Sequence, residues 1–393
     1  MPPVNLATLL VHRKKILQTP GWLLSILTAI TVIVLSSAGC VEAVKPVYKF
    51  RDGFLLIDGK LSSIAGNSYL RASTGVLNGI QYSLEEVPLG QVVIIDGSGN
   101  QTEWIYLAEK REYVPPASFE SSPGETYYVS LTTTDGEVYE STPETMPAST
   151  DLEEFDSRFV QESFFSDELN RFVPAFELSG SFQDDPEERN FYRLSYISWE
   201  RLDVCLSCNF SQYNPFLEEC VSTPLGRNTP RFDYACDTNC WEKTVYQNFR
   251  LFTDEFSDGN RVEGFKLGQV NYDWHGKILI IGKLEKISAG AHEYARVLRE
   301  QSLGSGGLNA TLPASLAGNM SAVDQEAGGV LGYFAVAAES EAKVFFDRDT
   351  VQGSPLPFDG DLNYDIPPPP AAPYVHPCEG PNRSTEKPAG WPE

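Results

Sequence analysis

Basic residues are scarce in this chain: Lys and Arg together number 30 against 54 Asp and Glu, a formal charge of −24. Such a field repels nucleic acid and anionic lipid surfaces, so nucleic-acid binding is excluded and the acidic surface reads as solubility. Histidine is rarer still, with four residues. The pair His292-Glu293 opens a zinc-protease pattern, but Arg296 stands where the second ligand belongs. No G-x-S-x-G nucleophile elbow and no phosphate-binding G-x-x-x-x-G-K-[ST] loop occurs. Acidic pairs such as Asp184-Asp185 and Glu187-Glu188 are too common in so acidic a chain to mark glycosidase chemistry, and they read as solvated surface. The expectation is a non-enzyme without catalytic residues, metal or cofactor. Only three Met stand against 22 Phe, 18 Tyr, 31 Gly and 27 Pro, a composition for strands joined by turns rather than helical bundles.

What is present begins with an export signal. His12, Arg13, Lys14 and Lys15 form a charged start, Pro20-Gly21 a break, and Trp22 to Leu35 an apolar core. Ser36-Ser37-Ala38-Gly39 and then Cys40 follow. Small side chains suit the narrow pocket of a signal peptidase, and the thiol directly after them is what diacylglycerol transfer requires. Residues 1–39 are therefore expected to be removed and Cys40 to carry a lipid that tethers the chain to a membrane. Ser37 stands where a lipobox usually has Leu, and the uncharged stretch from Ile16 to Gly39 is long enough to serve as a single-pass anchor instead. Ser and Thr dilute the end of that stretch, which favours cleavage, and both readings export the body of the chain. Loss of Arg13, Lys14 and Lys15 takes the formal charge from −24 to −27.

With Cys40 taken by lipid, Cys205, Cys208, Cys220, Cys236, Cys240 and Cys378 remain. An even set in an oxidising compartment predicts disulfides, and six cysteines allow 15 pairings. Cys205-x-x-Cys208 and Cys236-x-x-x-Cys240 also resemble the halves of a four-thiolate zinc site, a reading that export disfavours. Their clustering between 205 and 240 suggests a pinned loop that serves as a recognition surface.

About 350 exported residues suffice for two domains. Residues 40–147 read as an immunoglobulin-like β-sandwich: Phe54 to Ile57 ending in an Asp58-Gly59 turn, then Gly79 to Glu85, Gln91 to Ile95, Trp104 to Tyr106, Tyr127 to Leu131 and Val138-Tyr139. Prolines make 142–147 a linker. Residues 151–350 read as a larger antiparallel β-sandwich or barrel, with strands at Phe191 to Trp199, Lys266 to Trp274, Lys277 to Ile281 and Gly329 to Ala337. One short helix is capped by Ser288, carries Ala291, Tyr294, Ala295 and Leu298 on one stripe, and ends at Gly304. Residues 351–393 form a proline-rich tail with Pro367 to Pro370. The fold class is mainly β. Two runs have calcium-like spacing. Asp96-x-Ser98-x-Asn100 lacks the loop Gly and the terminal Glu and reads as a hairpin turn, and Asp359-x-Asp361-x-Asn363-x-Asp365 reads as a solvated acidic turn for the same reasons.

Phe54 to Gly59, Gly124-Glu125-Thr126-Tyr127 to Ser141, Cys240-Trp241, Leu312-Pro313, Gly318-Asn319 and Gly329 to Phe334, in that order, resemble the Bacteroidota lipoproteins of domain of unknown function 4249 (DUF4249). The resemblance covers nearly the whole exported chain. Members of that family close near Lys-Pro-x-Phe-Trp with a local Cys pair. Here Cys378 stands alone before Lys387-Pro388 and Trp391, so Cys378 is left to pair with the 205–240 cluster. The resemblance implies an outer-membrane lipoprotein with an accessory, non-catalytic role beside a TonB-dependent receptor in nutrient uptake, with an unknown solute ligand. The alternative is a cell-surface adhesion or structural module, which rests on the sandwich fold alone.

Overall fold

The computed structural model describes residues 54–78, 81–186, 188–201, 212–214, 219–221, 240–273, 275–304, 318–324, 327–356, 378, 380 and 382–392. The signal segment, Cys40, Cys205, Cys208, Cys236, Asp359 to Asp365 and Pro367 to Pro370 lie outside the described residues, as does the side chain of Cys220.

The chain first runs through β1 (Leu55–Ser62), β2 (Tyr69–Asn78), β3 (Gln81–Glu86), β4 (Leu89–Asp96), β5 (Gln101–Glu103), β6 (Ile105–Leu107), β7 (Glu112–Val114), β8 (Thr126–Thr133), β9 (Val138–Ser141) and β10 (Glu144–Thr145). It continues through β11 (Glu153–Ser166), β12 (Arg171–Gln183), β13 (Phe191–Arg201), β14 (Gln212–Asn214), β15 (Glu219–Val221), β16 (Trp241–Val245), β17 (Arg250–Thr253), β18 (Arg261–Asn271) and β19 (Lys277–Lys286). Helix α1 (Ala289–Gly304), β20 (Met320–Ala322), β21 (Val330–Asp347) and β22 (Arg383–Ser384) complete the described chain. The architecture is mainly β, with antiparallel pairing nearly throughout. Strand β19 shows why: Ile278, Ile280 and Leu284 are buried in a core on one face, while Lys283 and Glu285 leave the other, the period of two that a pleated strand imposes.

The largest sheet has the order β22-β16-β13-β19-β21-β1-β2-β7-β6, with β17 on β13 and β3 on β2. A second sheet, β20-β9-β8-β4-β5 with β10 on β8, covers one end of it, and a third, β11-β12-β18, covers the other. No described sheet closes into a barrel, and the arrangement is sandwich-like. The first core lies among β1, β2, β4, β8 and β9, with Ile57, Leu61, Leu70, Val92, Val129 and Leu131 essentially inaccessible. The second lies among β12, β13, β18 and β19 around Leu178, Phe182, Tyr192, Leu194, Leu267 and Ile280.

Strand β21 belongs to both. Phe334, Val336 and Ala338 enter the first core, and Ala342, Val344 and Phe346 pack on the second. It runs parallel to β1 from Leu55↔Val330 to Ser62↔Ala337 and antiparallel to β19 from Lys286↔Ala338 to Lys277↔Asp347. The expected boundary at 147–151 therefore does not divide the sheets, and the described residues form one compact unit.

The Asp58-Gly59 turn is likewise not a turn. Strand β1 continues through it, and Gly59 is there because a Cβ would stand 2.7 Å from Phe334 Cδ2 and 3.3 Å from Leu70. Gly332 has φ +109, and a Cβ there would meet the Ile57 carbonyl oxygen at 1.8 Å. Beside it Asn319 donates to the Phe334 carbonyl and accepts from the Phe334 amide, both at 2.9 Å, so an amide side chain stands in for a strand neighbour. The Gly318-Asn319 and Gly329 to Phe334 motifs are thus what seats β21 on β1.

The 142–147 stretch is not a free linker either. Its Glu144 is buried in β10 and accepts from Ser288 Oγ (2.6 Å), the Val336 amide (3.0 Å) and the Tyr333 hydroxyl. Ser288 Oγ also caps α1, accepting from the Ala291 amide at 3.0 Å. Ala291 and Ala295 are buried as expected, but Leu298 is 44% exposed, so the core-facing stripe is shorter than its periodicity suggests.

Burial raises the Glu144 carboxyl above the usual carboxylate range, against the opposing hydrogen bonds from Ser288, Tyr333 and Val336. An acid with a raised folded pKa binds more protons folded than unfolded. Its contribution is greatest below pH 4.5 and declines as pH rises toward the raised value. The stability of wild type minus that of E144Q is expected to fall between pH 4 and 7, by at most about 1.4 kcal/mol per pH unit, in urea denaturation. A flat or rising difference contradicts the assignment.

Candidate functional site

The face of the largest sheet turned away from the second core is charged. Lys60 of β1 reaches Glu285 of β19 at 2.6 Å and Glu339 of β21 at 2.9 Å. Arg193 of β13 also pairs with Glu285, and Lys283 holds Glu339 (2.9 Å) and Glu341 (2.8 Å). Asn67 donates to Glu339 and Glu341, and Ser62 Oγ to Glu339. Burial alone would raise Glu285, but Arg193 and Lys60 override it and hold the carboxyl far below the usual range. Burial would lower Lys60, and Glu285 with Glu339 raises it instead. A satisfied buried cluster of this kind fixes strand register more than it stabilises, since desolvation offsets much of the Coulomb gain.

The C-terminal tail crosses the same face. Cys240 is bonded to Cys378, 138 residues on, with Cα atoms 5.6 Å apart. Strand β22 then pairs with β16 through Trp241↔Ser384 and Glu242↔Arg383. Beyond it, Trp391 meets Trp241 edge to face at 6.3 Å between centroids and Phe345 of β21 at 5.2 Å. The tail thereby walls a cleft of about 690 Å³, within the size range of small-molecule sites.

Three aromatic rings, Trp241, Phe345 and Trp391, line part of that cleft. Four cations, Arg201, Lys277, Arg348 and Lys387, line the rest against two carboxylates, Glu200 and Asp347. Positive lining is unusual in a chain of charge −24. Arg348, the largest fully buried side chain, donates through Nε to the Gly276 carbonyl (3.1 Å) and through Nη2 to the His275 carbonyl (3.0 Å) and Glu200 (2.5 Å). Among the described residues its buried Nη1 has no acceptor, and neither has the buried Trp241 Nε1. Buried donors without acceptors are costly, about 1–3 kcal/mol each, and charged ones more. Two of them lie on residues that line one aromatic-walled cleft.

Of the cysteines singled out from sequence, the structure joins Cys240 and Cys378, a pairing between the cluster and the tail. Asp96 closes its hairpin by accepting from the Ser98 and Asn100 amides at 2.9 Å each, as a turn. His292 is buried against the Phe191 ring, and burial lowers its pKa. Asp184, expected as solvated surface, is instead 1% exposed. It accepts from the Tyr192 hydroxyl (2.6 Å) and the Gly259 amide (3.0 Å), while Asp254 accepts from the Asn190 amide (2.6 Å). Oxygens of Asp184, Asp254 and Asp258 lie within 4.8 Å of one another, so these three could hold a metal. The hydrogen bonds they make already account for Asp184 and Asp254 as clamps on the 254–260 loop. Sequence reading did not find Arg348, Lys60 or Glu144. The adjoining Cys240-Trp241 and the closing Lys387-Pro388 with Trp391 were the available signals for the cleft.

The family described as Domain of unknown function (DUF4249) matches residues 42–343. No curated protein matches the chain.

Because the Cys240–Cys378 bond fixes the tail ahead of its two-residue ladder and the Trp391 packing, C240S/C378S is expected to leave the far-UV spectrum unchanged while residues 383–392 lose hydrogen-exchange protection. The expected loss of stability is roughly 2–4 kcal/mol. Unchanged protection of 383–392 contradicts the role given to the disulfide.

Proposed function

The chain belongs to the DUF4249 family, and we propose that it is an exported, non-catalytic binding protein, lipid-anchored at Cys40 in an outer membrane. There it serves as an accessory to a TonB-dependent uptake receptor, with the tail cleft as its ligand site. The observation that carries the binding reading is the cleft itself, walled by three aromatic rings and lined by four cations, two of whose lining residues, Arg348 and Trp241, keep a buried donor without an acceptor among the described residues. Aromatic walls with a few placed polar groups suit recognition of a small solute. Export is supported by the Cys240–Cys378 bond, since disulfides persist in oxidising compartments. Membrane attachment rests on the Ala38-Gly39-Cys40 junction.

Affinity capture of the native lipoprotein in mild detergent is expected to recover a TonB-dependent receptor, and C40A is expected to move the protein from the membrane to the soluble fraction. Capture without any outer-membrane receptor contradicts the accessory role. A membrane-retained C40A contradicts the anchor.

A further inference from the structure

A second recess, of about 390 Å³, opens on the charged face of the largest sheet. Its lining inverts the balance of the chain. Lys60, Arg71, Lys110, Arg193, Lys243 and Lys283 stand against Glu112 and Glu285, where the whole chain has 30 basic residues against 54 acidic ones. Four of the six cations are committed. Lys60 and Arg193 pair with Glu285, Lys283 with Glu339 and Glu341, and Arg71 with Glu112.

Lys243 and Lys110 are different. Among the described residues neither ammonium makes an ion pair or a hydrogen bond, although both line the recess. Lys243 sits half-buried on β16, where its backbone amide is fixed by the Asn382 carbonyl at 2.7 Å. Burial lowers its pKa, and the neighbouring charges of Lys283 and Lys110 lower it further, with Glu112 and Glu341 opposing. A half-buried cation that faces two others, without a counter-ion of its own, is a local positive potential inside an acidic molecule.

We propose that this recess binds a phosphate group, free or as the monoester of a small molecule. The two cations left open point to a small anion of matching charge. The planar forks of Arg71 and Arg193 are already occupied by Glu112 and Glu285. What is left are ammonium groups, compact point charges with freely turning donors, which suit a tetrahedral oxyanion. Two of them match the roughly −1.5 to −2 charge of a phosphate monoester at neutral pH. Ser195 and Asn382, which also line the recess, add neutral donors. The proposal involves neither the tail cleft nor a protein partner, so it stands or falls apart from the accessory role.

The test is calorimetric titration of the detergent-solubilised full chain at low salt with inorganic phosphate, glucose 6-phosphate and citrate. Saturable one-site binding of phosphate or of the ester is expected, weakened at least tenfold in K243M and in K110M/K243M and unchanged in K266M on the three-stranded sheet. Equal binding of phosphate and ester identifies the bare group as the ligand, and binding of the ester alone adds a contact to the rest of the molecule; both outcomes support the site. K243Q, checked by circular dichroism, guards against a folding defect in K243M. The proposal is overturned by no saturable binding of either phosphate compound, by undiminished binding in K243M and K243Q, or by citrate binding more tightly than phosphate with the same dependence on Lys243.

Discussion

The two larger hydrophobic cores close only because β21 crosses them. Its first half lies parallel to β1 and its second half antiparallel to β19. A parallel pair between residues so far apart in sequence carries a high closure entropy. It is held here by backbone geometry that tolerates no substitution with a Cβ at Gly332, by the Asn319 side chain on Phe334, and by the Lys60 to Glu285 and Glu339 ion cluster that joins three strands. The rest of the body is arranged around that strand. The five-stranded path through β8 covers one half of it and the β11-β12-β18 sheet the other.

That arrangement explains why the candidate sites share one face. The apolar side of β13 and β19 is spent on the second core, so polar side chains leave on the opposite side. Lys60, Arg193, Lys283 and Glu285 thereby meet across neighbouring strands. The tail, fixed by Cys240–Cys378, lies across the same face and turns part of it from an open surface into a walled cleft. A mainly acidic molecule thus concentrates positive charge where its sheet is polar and partly covered.

Much of the local structure was legible in the residues. Alternation gave the strands near 191–199 and 277–281, and Ser288 with the alanine stripe gave the helix. Long-range pairing was not legible, because nothing near Leu55 reports that Val330 will lie beside it. Asp58-Gly59 carries the usual mark of a turn, yet Gly59 is selected by the Phe334 ring. Glu144, Asp184, Lys60 and Arg348 were missed for one common reason. Charged residues are mostly exposed, so composition and periodicity assign them to the surface, and only the fold reveals the partners that let them be buried.

The central claim is that the described residues form one body organised by β21, so the two larger cores should lose structure together. Hydrogen-exchange mass spectrometry across a urea gradient tests this directly. The account predicts one midpoint shared by peptides of β4 and β8 in the first core and peptides of β12 and β18 in the second. Two separated midpoints, with one core protected while the other exchanges, would contradict it.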